Sequence, residues 1–382
     1  MALGTLALAV AALLAACFLW RYVATARLRL PIAHLAPGDV TPQLMAARAR
    51  HPDKPFVLPL RPPWVILPHY MVTEIKGLPE DKISFKQHTY HRMLGQYTGI
   101  GASDRPEAIR AIRIDLTRNV AKVLRDLQDE VLHALDKNIG DCPHWRAVPV
   151  YPTLLNVISL VSGRAFVGLP LSRDPEWTEA TINFTRDVIA AMVSVRRLPA
   201  FLRPLVSPWL PELRNLMAYR DFAATKMAPQ VNTILAAHRG KVKGISSLDD
   251  DEAESAAISG NFNLVHWMIG QFKDPEKANA MELGRQQMTA AFAAIHPIGM
   301  ATSYAVFDLA AYPQYMGELR AEIEAVVAEE NYPDHKLRKT SVPKLKKLDS
   351  FMKESQRMSP PTMSKLSQPH PPTSPLSKLH HR

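Results

Sequence analysis

A mainly α-helical fold with a small β-sheet is what the 382-residue sequence predicts, and three observations point to it. Gly is scarce at 16 while Pro reaches 32, which suits helices punctuated by proline turns better than a sheet full of glycine hairpins. From about Glu107 onward, apolar residues recur at three- and four-residue steps. Before that point only Phe56-Val57-Leu58 and Trp64-Val65-Ile66-Leu67, bracketed by prolines, read as strands. With 47% hydrophobic, 21% charged and 7% aromatic residues, the chain has a globular balance and can bury a large core.

The first element is an apolar segment. Ala2 to Trp20 carries no charge and is long enough to span a bilayer as a helix. Arg21, Arg27 and Arg29 follow at once, so the positive-inside bias leaves the body on the cytoplasmic side. A cleaved signal peptide would carry a basic start and a shorter apolar stretch. Residues 1–20 are therefore expected to be a transmembrane anchor, residues 21–50 a linker, residues 51–363 the folded body, and residues 364–382 a disordered tail.

Within the body, Ile109, Ile112, Leu116, Val120, Val123 and Leu127 form one helical stripe, and Leu154–Phe166 and Trp177–Val195 read as further helices. Leu198 to Pro211 is apolar, broken by four prolines and flanked by arginines. It fits either a second contact with a membrane surface or a buried loop. Lys241–Ser255, with Asp249-Asp250-Asp251-Glu252, reads as a solvated loop, because consecutive acids repel and lack a ligating turn. Asn183-Phe184-Thr185 matches a glycosylation acceptor that a cytosolic body would not use. Met281 to Ala311 is apolar nearly all round, as a helix buried through a large core would be, and Pro297 should kink it. Glu318–Glu324 and Leu345–Met358 are the last predicted helices.

The net charge of +10 suggests nucleic acid at first sight. The basic residues are scattered, however, and no dense run is interleaved with stacking aromatics, so no nucleic-acid partner is expected. A basic surface suits an anionic membrane or an acidic electron-transfer partner equally well. The two cysteines, Cys17 and Cys142, make neither a disulfide framework nor a paired metal motif. His370, His380 and His381 fall in the low-complexity tail, where no ordered scaffold would hold a metal.

The long apolar helix, the run Asp308-Leu309-Ala310-Ala311-Tyr312-Pro313, and Lys353-Glu354-Ser355-Gln356-Arg357 occur in that order. This order resembles the I, J and K helices of a cytochrome P-450. Phe292-Ala293-Ala294-Ile295-His296 and Arg113-Ile114-Asp115-Leu116-Thr117-Arg118-Asn119 are similar to a fungal branch of that family that oxidises terpenoids and related secondary metabolites. The likeness runs over roughly residues 1 to 363. It implies a haem-thiolate monooxygenase acting on a small apolar substrate. It also implies a single-pass protein of the endoplasmic reticulum membrane with a cytosolic body, fed by NADPH through a separate membrane-bound reductase.

Site residues follow by the same resemblance. Glu354 and Arg357 match the family's Glu-x-x-Arg motif, and their spacing puts them on one helix face, where a plain solvated pair is the other reading. His296 stands where the family places the acid of its distal proton relay, while Pro297 and Ile298 stand where it places threonine. Histidine can carry protons near neutral pH, whereas Pro and Ile cannot. Thr302 and Ser303 lie one turn on. The alternative for His296 is a satisfied buried histidine. Arg113 is a candidate for a haem propionate, or else a solvent-facing arginine on an amphipathic helix.

The family takes its thiolate from a downstream loop, Phe-x-x-Gly-x-x-x-Cys-x-Gly, and that ligand sets the chemistry at the iron. After Arg357 this sequence contains neither Cys nor Gly, and neither Cys17 nor Cys142 has the loop's context. The expectation is a cytochrome P-450-like fold lacking its C-terminal quarter, truncated before the haem-binding loop, and inactive as written. The alternative is a membrane-tethered, haem-free pseudoenzyme serving as a binding or scaffold protein.

Overall fold

A computed structural model describes residues 30–36, 40–60, 63–79, 81–101, 107–242, 263–272, 274, 278–332, 334 and 336–359. The anchor at 1–20, the tail at 364–382 and nearly all of the acidic loop at 241–255 lie outside the described residues. The chain divides into two compact units that part between Ser84 and Phe85.

The first unit holds a helix, a hairpin and a short helix. α1 spans Val40–Arg50, β1 Phe56–Leu58, β2 Trp64–Ile66 and α2 Met71–Lys76. The two predicted strands pair antiparallel, with Phe56 opposite Ile66 and Leu58 opposite Trp64. Ile32 adds a parallel rung beside Val57, held by Val57 N–H to the Pro31 carbonyl and Ala33 N–H to the Val57 carbonyl, both 2.8 Å. Phe56 and Leu58 turn inward and pack with Ala33, Leu44 and Ala47 into a small core. The segment expected as linker therefore contains a helix, α1, whose Leu44 and Ala47 are buried. Its polar, arginine-rich sequence gives only a faint apolar stripe, so burial here comes from the hairpin beneath it.

The second unit is helical. It begins with α3 Phe85–Arg92 and the short α4 Gly95–Thr98, then α5 Glu107–Arg110. A single π-helical stretch at Ala111–Leu116 leads into α6 Thr117–Asn138. The predicted stripe is corrected at its start, because Ile109 and Ile112 are exposed while Ala111 is fully buried. The wider π turn rotates the helix face, so a period read at 3.6 residues points the first apolar residues the wrong way.

α7 Val150–Phe166, α8 Pro175–Arg197, α9 Arg203–Val206, α10 Pro211–Val242 and α11 Leu264–Gly270 follow. The last three are α12 Ala280–Ala311, α13 Gln314–Glu330 and α14 Lys346–Met358. α8 starts with Asp174 as its N-cap, accepting from Glu176 N–H, and with Pro175 in the first turn. Phe184, Val188, Ala191 and Val195 on its inner face are completely buried. They belong to a core shared with Leu216, Ala223 and Met227 of α10 and Leu283 and Met288 of α12.

Two polar clamps fix the periphery. Glu130 on α6 is buried and receives a forked pair from Arg173 at 2.9–3.1 Å. Gln128 exchanges two 2.9 Å hydrogen bonds with the Leu337 backbone, tying the connection before α14 to α6.

Candidate functional site

The site is organised by α12. Asn279 caps it by accepting from Glu282 N–H at 2.9 Å, and Glu282 sits in the first turn, where a carboxylate suits the positive end of the helix. Leu283, Gly284, Gln287, Met288, Ala291 and Ile295 then recur at three- and four-residue steps and are all buried. Gly284 has a specific reason to lack a side chain, since a Cβ there would lie 2.8 Å from the Ala224 nitrogen on α10. α12 is also the one described helix long and apolar enough to cross a membrane, a test that buried core helices pass as well. Its packing against α7, α8, α10 and α14 makes it a core helix.

His296 lies midway along α12. Its Nδ1 is 2.8 Å from the Tyr151 hydroxyl, in the first turn of α7. Its Nε2 is shut off from solvent without a hydrogen-bond partner. Burial holds the imidazole below its ordinary pKa and raises that of the Tyr151 phenol, so both rest neutral at pH 7. Pro297 and Ile298 are exposed, and Ser303 donates back to the Gly299 carbonyl at 2.7 Å. That serine is therefore occupied within its own helix.

Glu354 and Arg357 form a two-point ion pair on α14, with Nε to Oε2 and Nη2 to Oε1 both 2.7 Å. The pair holds the guanidinium above its ordinary pKa. Neighbouring contacts position it. Ser355 donates to Asp308 of α12 at 2.5 Å, and Phe351 packs on Tyr315 and Leu319 of α13. The Glu322 carboxylate on α13 accepts from both Lys347 N–H at 2.8 Å and Leu348 N–H at 3.0 Å, so it caps α14 from a neighbouring helix. Arg113 lies on the π-helical stretch and faces solvent. Among the described residues no hydrogen bond or ion pair links Arg113, His296 and the Glu354–Arg357 pair.

Tyr151 is the site residue that sequence reasoning missed. It stands 145 positions from His296, and nothing local to either residue signals the pairing.

Cys142 is the only cysteine among the described residues and is exposed, with Sγ 3.8 Å from the Ile139 and Gly140 carbonyls in the turn after α6. No three His, Cys, Asp or Glu side chains among the described residues converge as a metal site. A small cavity of about 10 Å3, bounded by Ser159, Thr181, Gln287 and Ala291, has room for about one water. The lone described cysteine is thus an exposed side chain outside any cluster of ligating groups, and the described residues do not fit a haem by themselves.

The likeness to known proteins is nonetheless extensive. The cytochrome P-450 family model matches residues 164–376. The chain is 37% identical over 351 residues to cytochrome P-450 monooxygenase ascG of Acremonium egyptiacum, covering 89% of this chain and 64% of that protein. It is 36% identical over 330 residues to cytochrome P-450 monooxygenase ataF of Aspergillus terreus, covering 86% and 62%. The chain therefore spans a little under two thirds of the length of these curated relatives. Among solved structures, the cytochrome P450DA haem domain superposes with a TM-score of 0.56 at 10% identity, covering 86% of this chain and 69% of that one. The retinoic-acid-bound cyanobacterial CYP120A1 gives 0.54 at 14% identity, covering 86% and 70%. The order of helices around α12 expected from the sequence is thus the fold of these structures, and the matched stretch exceeds half of the chain. The chain belongs to the cytochrome P-450 family, alongside fungal monooxygenases.

Proposed function

We propose that this chain is part of a fungal secondary-metabolism monooxygenase that oxidises a small apolar, terpenoid-like substrate. Identity of 36–37% to fungal monooxygenases over most of the chain carries the reading. In that reading the family's haem supplies the oxidation chemistry, and NADPH supplies electrons through a separate membrane-bound reductase. His296, hydrogen-bonded to Tyr151 of α7, sits midway along the long helix, Glu354–Arg357 is the Glu-x-x-Arg pair of α14, and Arg113 remains a candidate for a propionate.

The uncharged apolar segment 2–20, followed by Arg21, Arg27 and Arg29, supports a single-crossing anchor in the endoplasmic reticulum membrane. Phe201, Leu205 and Trp209, each 68–76% exposed and adjoining Arg196, Arg197 and Arg203, support a second contact with the lipid surface.

For the described residues we propose no thiolate-bound haem, because Cys142 is exposed in the turn after α6, beside the Ile139 and Gly140 carbonyls. That observation favours the second reading, a haem-free tethered protein. Reduced carbon-monoxide difference spectroscopy on the full chain, expressed with haem precursor, separates the two. A colourless preparation supports the haem-free reading for this polypeptide. A red-shifted thiolate-type Soret band overturns it and restores the active enzyme.

A further inference from the structure

We propose that the proline-rich tail of this chain docks as a polyproline II helix on the open apolar face of α12. The docking rests on the haem-free reading of this polypeptide given above. Ala293, Pro297, Met300, Tyr304, Phe307 and Ala311 recur at three- and four-residue steps and so share one face of the helix. Met300 is half-buried and the other five are exposed, Phe307 by 50%. The stripe is about 27 Å long at the α-helical rise. Beside it, Ala305 and Leu309 are already packed against Tyr315 and Phe351. A contiguous apolar stripe left open to water marks an interaction surface.

The tail beyond Ser359 lies outside the described residues, and its sequence carries a period of its own. Pro360, Met363, Leu366, Pro369, Pro372 and Pro375 fall at every third position, and the positions between them are mostly polar. A polyproline II helix has three residues per turn, so these six side chains line one edge of it. Proline-rich segments lose little entropy in that form and dock on aromatic-lined surfaces. Tyr304 and Phe307 supply the aromatic rings on α12.

Position and length agree with this pairing. Ser355 of α14 donates at 2.5 Å to Asp308, the neighbour of Phe307, and the tail begins one helical turn after that serine. From Pro360 to Pro375 a polyproline II helix spans about 47 Å, enough to reach α12 and run along its stripe. The tether keeps the tail at an effective concentration of about millimolar, so weak contacts suffice. Area argues against a second copy on the same face. A stripe of this length and roughly 12 Å wide offers about 300 Å2 per partner, against roughly 800 Å2 in a standard interface.

Photo-crosslinking tests the docking in the full chain, reconstituted in phosphatidylcholine vesicles. With Phe307→p-benzoylphenylalanine, irradiation should join α12 to the tail stretch 360–376 within one chain, as read by peptide mass spectrometry. The same replacement at exposed Tyr304 gives a second reading on that face. Leu366→Asp combined with Pro372→Asp, on the apolar edge, should cut the yield about fivefold or more, because a carboxylate resists burial on an apolar surface. Ser364→Asp combined with Thr373→Asp, each one position off that edge, should leave the yield unchanged. Absence of tail cross-links from both positions overturns the docking, as do equal losses from the two Asp pairs. Cross-links at dimer mass give the face to a second copy, and cross-links to phospholipid give it to the bilayer; either outcome overturns the tail as occupant. A Soret band in the same preparation would sink the haem-free reading, whereas missing tail cross-links in a colourless one sink the docking alone.

Discussion

The two halves of α12 are both largely apolar and differ in what they touch. From Ala280 to Ile295, eight residues are buried, among them Leu283, Gly284, Gln287, Met288 and Ile295. From His296 to Ala311 only Gly299, Ser303 and Ala305 are, while Ile298, Tyr304, Val306 and Phe307 are 36–50% exposed. Hydropathy alone reads the helix as uniformly interior. The difference teaches that an apolar sequence sets the demand for partners, and neighbouring helices decide where it is met.

Substitutions in each half can break this contrast. The largest effect is expected from Leu283→Ala, which empties a fully buried position and should cost about 3 kcal/mol in urea unfolding. A loss below about 1 kcal/mol would show that the first half is less tightly packed than described. Next comes a matched pair of glycines. At Gly284 a new Cβ meets α10 backbone at 2.8 Å, whereas at Gly299 it meets the movable tip of Leu155 at the same distance. Gly284→Ala should destabilise by about 2 kcal/mol, while Gly299→Ala should be near neutral because the gain in helix propensity offsets a small shift of Leu155. Equal melting temperatures for the two variants would erase the comparison.

His296 marks the border and adds pH dependence. Burial holds its pKa below the ordinary 6.5, so the unfolded chain takes up a proton where the folded chain resists one. The contribution is complete above pH 6.5 and is lost as pH falls through the lowered folded value. Unfolding midpoints of His296→Asn should therefore fall less steeply below that pH than those of the wild type; parallel curves would refute the assignment. Tyr151→Phe removes the one hydrogen bond to the imidazole among the described residues and should cost about 1 kcal/mol. The smallest effect is expected from Phe307→Ser in the exposed half, within about 0.5 kcal/mol by the same denaturation assay.

Much of the helical order was legible in the sequence. Trp177–Val195 appears as Pro175–Arg197, Met281–Ala311 as Ala280–Ala311, and the two prolined apolar runs pair as strands. These segments carry strong periods and clear stops, with Asp174-Pro175 and Asn279 opening two of the helices. α1 was not legible, because its stripe is weak and the hairpin's apolar face supplies its partner. The turn at Ala111–Leu116 was hidden because one extra residue per turn leaves no compositional trace. Site residues fared similarly. Glu354 and Arg357 could be read as a pair from their spacing, since three residues bring them to one helix face. Tyr151 beside His296 depends on helices far apart in sequence, and local pattern holds no record of the pairing.

The carboxylate of Glu322 has a mechanical consequence. α14 opens at Leu345 without a side-chain cap of its own and borrows one from α13. Its first turn is thereby locked in register with a neighbour, and the two helices should shift as a rigid couple. Any tilt of α13 would be transmitted along α14 to the Glu354–Arg357 end. Glu322→Gln would loosen that linkage, visible as faster amide exchange in the first turn of α14 while its last turn keeps its protection.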